Sequence, residues 1–157
     1  MCFGSSSDDD RSPRQVKIQS SHSSIEEQKK SDHIKNQVAG EQECHRILKE
    51  IFPNKTFSRC KPPFLLNSKL ELDMYCPDLG LAVQYYGSQY YEYDCTYHKS
   101  LQEFTDFLRQ NSLRVELCAR NGINLVTIPY NIPNIRSYLI DVLGDQYRSE
   151  MTWLPSS

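Results

Sequence analysis

The stretch Lys69 to Tyr91, KLELDMYCPDLGLAVQYYGSQYY, leaves the chain few choices. Leu70, Leu72 and Met74 alternate with Lys69, Glu71, Asp73 and Tyr75, the period-two signature of a strand with one apolar face. Pro77-Asp78-Leu79-Gly80 reads as a tight turn. Leu81 to Tyr86 is then a mostly apolar run, as a central strand requires. Gln84 and Tyr86 share one of its faces, Leu81, Val83 and Tyr85 the other, and Gly87 ends it. A strand pair of this kind commits the chain to a sheet and places Asp73 and Gln84 on neighbouring strands.

The surrounding sequence supplies helices for that sheet. Cys44, Ile47, Leu48 and Ile51 fall at i, i+3, i+4, i+7 and predict a helix over 41–52, stopped by Pro53-Asn54. Glu41 and Glu43 suit its first turn through the helix dipole. Pro62-Pro63 excludes a regular helix between 56 and 66, where Phe64-Leu65-Leu66 either starts a strand or packs as a plug. Lys99 to Asn121 predicts a long helix with Phe104, Phe107, Leu108, Val115 and Cys118 as its buried stripe and Asn111 and Arg114 at its border. Gly122 stops it at the left-handed position. Ile123 to Ile128 reads as a buried strand, and Ile132 to Gly144 as a last amphipathic helix. The order is helix, two or three strands, helix, strand, helix: an α/β fold with a short mixed sheet flanked by helices.

Residues 1–39 are rich in Ser and charge, without a sustained apolar period, and are expected to be a polar, disordered tail. The folded domain is expected over 40–145, with 146–157 as a C-terminal extension that Trp153 docks. Neither a secretory signal nor a span of roughly 20 apolar residues is visible, so no membrane association is expected. The six cysteines show no CxxC pair and no zinc spacing, which points to reduced thiols in an intracellular setting, cytoplasmic or nuclear. A net charge of −2 excludes the broad basic footprint of a strong nucleic-acid binder but not a local basic groove. The loop from Ser88 to His98 is dense in tyrosine, suited either to stacking on bases or to a protein interface. His45 and His98 are read as structural or exposed.

GEQECHRILKEIF, KPPFLLNSKLELDMYCPDLGLAVQYYGSQYY and CARNGINLVTIPY, in that order, resemble a group of PD-(D/E)xK-type proteins of large DNA viruses and some eukaryotes, akin to very-short-patch repair endonucleases. The resemblance covers roughly residues 40–131. It implies a restriction-endonuclease-like αβββαβ core and, where the site is intact, Mg²⁺-dependent hydrolysis of DNA. Carried over, Asp73 matches the first catalytic aspartate, Glu71 the acid before it in the L-E-L-D string, and Glu41 the helix-borne glutamate. Tyr85, Gly87, Gln89 and Tyr91 match an E-Y-x-G-x-Q-H-Y strand end.

The departures fall on the chemistry. Gln84 stands where the second acid belongs, Tyr86 where other nucleases carry lysine, Tyr90 in place of a histidine, and Lys61 in place of an arginine. Asn111 and Arg114 replace an aspartate and a lysine. Mg²⁺ takes hard oxygen ligands, usually one or two carboxylates plus water. Losing one charge beside it weakens binding by about 1–3 kcal/mol. Lys69 shares the strand face of Asp73 but lies about 13 Å away along the strand. Three readings follow. The chain is a degraded nuclease that binds nucleic acid or serves a structural role, with Lys61, Tyr86, Tyr90 and Arg114 as contacts. Or it is a working nuclease in which Glu41, Asp73 and Glu71 compensate for Gln84 and Lys69 partly replaces the lysine missing at 86. Or it is a protein-interaction module, for example in a virion, using the tail and the tyrosine loop.

Overall fold

The computed structural model describes the backbone of residues 14–66 and 68–152, with side chains from Ser23 onward. A helix α1 (Arg14–Ile51) leads into strand β1 (Ser58–Cys60). The strands β2 (Leu72–Cys76) and β3 (Leu81–Tyr86) follow, then helix α2 (Leu101–Arg120), strand β4 (Asn124–Pro129) and helix α3 (Ile135–Tyr147). The sheet has the order β1-β2-β3-β4, antiparallel through the first three strands and parallel between β3 and β4. The protein is therefore mixed α/β, with a four-stranded mixed sheet and three α-helices among the described residues.

The turn joining β2 and β3 is a single 3₁₀ turn, Pro77–Leu79, closed by Gly80 at φ 60°. Gly122, after α2, has φ 71°. Both lie in the left-handed region, where a Cβ is costly and glycine is free. The parallel return from β3 to β4 needs a crossover, and α2 supplies it. Ser100 caps that helix by accepting from the Glu103 N–H, and Asn134 caps α3 by accepting from Ser137 N–H.

Each face of the sheet carries helices. Leu81 and Val83 of β3, with Met74, Cys76, Val126 and Ile128, pack against Leu48, Ile51 and Phe52 near the end of α1 and Leu139 and Leu143 of α3. Met151 joins this core, and Thr152 N–H donates to Ile51 O, so the chain after α3 docks through these residues. Trp153 lies outside the described residues. On the opposite face, Ala82 packs with Leu65, Leu70, Leu72, Cys118 and Ile123. Fully burying each large aliphatic side chain contributes roughly 1.5–3 kcal/mol, so these two clusters hold the sheet in place.

Three expectations need correction, and one open alternative is decided. The helix predicted from 41 begins at Arg14, so the stretch expected to be tail is helical from there on, and the boundary at 39/40 falls inside a helix. Residues 1–13 lie outside the described residues. A helix anchored at its C-terminal end adds one hydrogen bond per residue fixed, and propagates through polar residues without an apolar face. Of the two alternatives for Phe64-Leu65-Leu66, the plug is found: Pro63–Leu65 is a 3₁₀ turn that sets Leu65 into the core on the Ala82 face. β2 begins at Leu72, not Lys69, because Ser68 Oγ donates to Leu65 O and accepts from Leu70 N–H, holding the approach in a bend. On α2, Leu108 and Val115 are exposed, while Phe104, Phe107, Asn111, Arg114 and Cys118 turn inward to differing depths. The inward face is partly polar because it lies over Gln84 and Tyr86 rather than over aliphatic residues alone.

Candidate functional site

The register of β2 on β3 sets the site. Tyr75 pairs with Ala82 and Met74 with Val83, so Asp73 comes opposite Gln84. The two converge: Asp73 N–H donates to Gln84 Oε1 at 2.6 Å. Gln84 is 1 % exposed, so this bond satisfies a carbonyl that water barely reaches.

Glu41 arrives from α1, four residues after Gln37. Its Oε1 accepts from Gln37 Nε2 at 2.9 Å and its Oε2 from Arg59 Nη2 at 3.2 Å. The same Arg59 nitrogen lies 3.6 Å from Asp73 Oδ1. One guanidinium from β1 thus bridges the two acids. Burial, then the nearby Glu41 charge, push the Asp73 carboxyl above its ordinary range, against the pull of Arg59 and Arg114. Asp73 and Glu41 border a groove of about 420 Å³ that His45 and Lys49 also line.

Over the same sheet face, Arg114 Nε donates to Glu71 O at 3.1 Å and its Nη1 to Asn111 Oδ1 at 3.0 Å. Tyr86 and Tyr90 stack with centroids 4.1 Å apart and planes 6° from parallel, and Tyr90 leans on Phe107. The Tyr86 hydroxyl is buried without a well-formed hydrogen bond, although Arg114 stands close enough to offset some of the upward push that burial gives it. Burial raises Tyr90 in the same way. Both tyrosines therefore stay neutral and act as packing and stacking surfaces.

The fold brings Asp73, Gln84, Glu41, Tyr86, Tyr90 and Arg114 together. Glu71 joins through its backbone carbonyl, with its side chain exposed outside the strand. Lys69 sits in the exposed bend before β2, so the strand face it was expected to share with Asp73 does not extend to it. Lys61 is half-buried after β1 and makes no hydrogen bond or ion pair with the cluster among the described residues. His98 is buried, with Nδ1 against the Asp94 backbone and its ring among Tyr93, Tyr97, Phe104 and Phe107.

Two site residues escaped the sequence reading. Arg59 gave no signal, because a charged residue on a short edge strand has no pattern around it. Gln37 lay in the expected tail, yet it ties α1 to the end of β3. Its Nε2 donates to Tyr85 O at 2.9 Å, and its Oε1 accepts from Gly87 N–H and Gln89 Nε2, both at 3.0 Å. A Cβ at Gly87 would overlap the Gln37 and Gln89 amides, and one at Gly40 would overlap the Tyr85 ring. These close approaches account for the glycines flanking this seam.

The oxygens that Mg²⁺ would take are largely engaged by protein groups. Asp73 is one carboxylate, Gln84 spends its carbonyl on a backbone N–H, and Glu41 has both oxygens engaged by Gln37 and Arg59. Among the described residues no group of three or more His, Cys, Asp or Glu is placed to hold a metal. Nor is any helix among them long and apolar enough to cross a membrane. Cys44, Cys60, Cys76, Cys95 and Cys118 are free thiols, and burial pushes Cys44 up to about 12.

No protein-family model matches the chain, and no solved structure matches it. It is 30 % identical over 122 residues to uncharacterized protein 307L of Invertebrate iridescent virus 6, covering 66 % of this chain and 62 % of that protein. It is 33 % identical over 97 residues to uncharacterized protein 033L of Invertebrate iridescent virus 3, covering 59 % and 50 %. With uncharacterized protein 094L of Frog virus 3 (isolate Goorha) it shares 36 % over 75 residues, 47 % and 48 % of the two chains. The chain spans about half to three fifths of the length of these relatives, all proteins of large DNA viruses, which supports a viral origin.

Proposed function

We propose that this chain is a nuclease-fold protein whose metal centre has given way to an arginine-bridged carboxylate pair, and that it binds nucleic acid without cutting it. The observation that carries this reading is the state of Gln84. The residue at the second acid position is neutral, buried and accepts from the Asp73 N–H, and so offers a cation no charge and only an oxygen that is already hydrogen-bonded. Arg59 sits between Asp73 and Glu41, where a divalent ion would otherwise balance their charge. The element order α1-β1-β2-β3-α2-β4, with its antiparallel run and parallel last strand, supports this reading, since the PD-(D/E)xK resemblance implies an αβββαβ order.

The same surroundings support a binding role. Cationic side chains, Lys49 and Arg59, flank the groove beside Asp73 and suit phosphate oxygens. Lys61 extends the cationic edge past β1, and the tyrosines of the following loop suit base faces. Few cations take part, so affinity is modest and falls only shallowly with salt. The site of action is the cytoplasm or nucleus of an infected cell, or the virion.

A cleavage assay with Mg²⁺ and Mn²⁺ on duplex, flap and single-stranded DNA tests the reading. The expected result is no metal-dependent cutting by the natural protein. Cutting that Asp73→Ala abolishes would establish a working nuclease instead. Cutting by Gln84→Glu would show that the rest of the site survives. Oligonucleotide anisotropy at low and moderate salt tests binding: no binding at low ionic strength would leave a protein-interaction role.

A further inference from the structure

A second cleft lies at the carboxyl ends of the two parallel strands. Tyr86 pairs with Pro129 there, and Tyr130 N–H donates to Tyr86 O at 2.9 Å. The crevice beyond the carboxyl ends of parallel strands is where open α/β sheets accept ligands. In this protein it holds a cleft of about 490 Å³ between α1 and the turn after β3.

Its chemistry differs from that of the Asp73 groove. No Lys, Arg, Asp or Glu lines it. The lining groups are amides, hydroxyls and phenols, chiefly Asn36, Ser88, Gln89, Tyr85 and Tyr130, with His33 paired to Asp94 at the rim. Gln89 gives its Nε2 to Gln37, while its Oε1 and the amide of exposed Asn36 have no hydrogen-bond partner among the described residues. The Gln37 bonds to Tyr85, Gly87 and Gln89 fix the wall in advance of any ligand. A cleft lined by no lysine or arginine is poorly suited to phosphate or carboxylate. One with open amide donors and acceptors beside flat rings is suited to an uncharged, planar group with several hydrogen-bonding edges.

We propose that this cleft takes one unstacked nucleobase of a bound strand, read by the Asn36 and Gln89 amides and covered by Tyr130. The choice of ligand rests on the nucleic-acid reading above, but the pocket is testable without a strand. Amide side chains pair with base edges, and tyrosine stacks on base faces.

The test is NMR titration of the full chain with free adenosine, guanosine, cytidine and thymidine. At least one nucleoside should shift the Gly87, Ser88 and Gln89 backbone signals and the Asn36 side-chain amide, leaving Asp73 unmoved. Asn36→Ala and Tyr130→Ala, both at exposed positions, should each weaken that nucleoside about tenfold. Absence of shifts from all four nucleosides would overturn the pocket, as would undiminished binding by both variants. So would shifts from N-acetylglutamine amide alone, which would mark a peptide site. Nucleoside binding at the cleft, with no oligonucleotide bound at low salt, would instead overturn the proposed function and leave the base site standing.

Discussion

Two polar sites share strand β3, and they differ in what their polar groups are doing. At Asp73, the Gln84 carbonyl, both Glu41 oxygens and the Arg114 guanidinium are engaged by neighbouring protein groups. At the carboxyl end of β3, Gln37 is equally committed, but it holds up a wall on which Asn36 is exposed and the buried Gln89 keeps its Oε1 without a partner among the described residues. A site whose donors and acceptors satisfy each other takes a metal ion poorly, because the ion would have to displace those bonds. One whose bonds fix the backbone and leave other groups open is set up to bind.

The largest expected effect breaks the first site. Gln84→Glu puts a carboxylate into a buried position beside Asp73, and should cost about 3 kcal/mol without divalent ions, read by urea unfolding at neutral pH. Added Mg²⁺ should restore part of that stability in the variant while leaving the natural protein unchanged. An unaltered variant would mean that position 84 is less enclosed than the sheet packing makes it.

Next comes the wall of the second site. Gln37→Ala leaves Tyr85 O and Gly87 N–H without their partner and should cost about 2 kcal/mol by thermal or urea unfolding. A loss near zero would show that α1 does not depend on this seam.

A smaller effect reads charge at Asp73. Its carboxyl titrates above the ordinary value of 3.8, with burial the main cause. The raised native value means that the folded state holds its proton more tightly. The contribution is therefore fully present below about the ordinary value and is lost as pH rises through the raised one. Asp73→Asn should remove that component, so the stability difference between the two proteins should change across this window and level off above it. Arg59→Gln should push the window higher, because one of the two cations lowering the carboxyl is gone. A difference that does not vary with pH would break this account of the site.

The smallest effects belong to the open cleft. Asn36→Ala and Tyr130→Ala should each change stability by no more than about 0.5 kcal/mol in the same unfolding assay, since both positions are exposed. A large loss would make the cleft structural and erase the contrast.

The sequence alone determined the hairpin from β2 to β3, the crossover helix and the last strand. Local forces set these: apolar alternation, a proline-glycine turn, and a helix stop at Gly122. It also placed Asp73 and Gln84 on neighbouring strands, while their convergence came from the register of the sheet. Only the tertiary structure decided what those residues do. That Arg59 would span Glu41 and Asp73, that Gln37 would hold the end of β3, and that Leu108 would face solvent while Arg114 turned over Tyr86 depend on contacts between residues far apart in the chain. A polar side chain carries no periodic signal of its own. Its role is fixed by which unsatisfied group the fold brings within hydrogen-bonding reach.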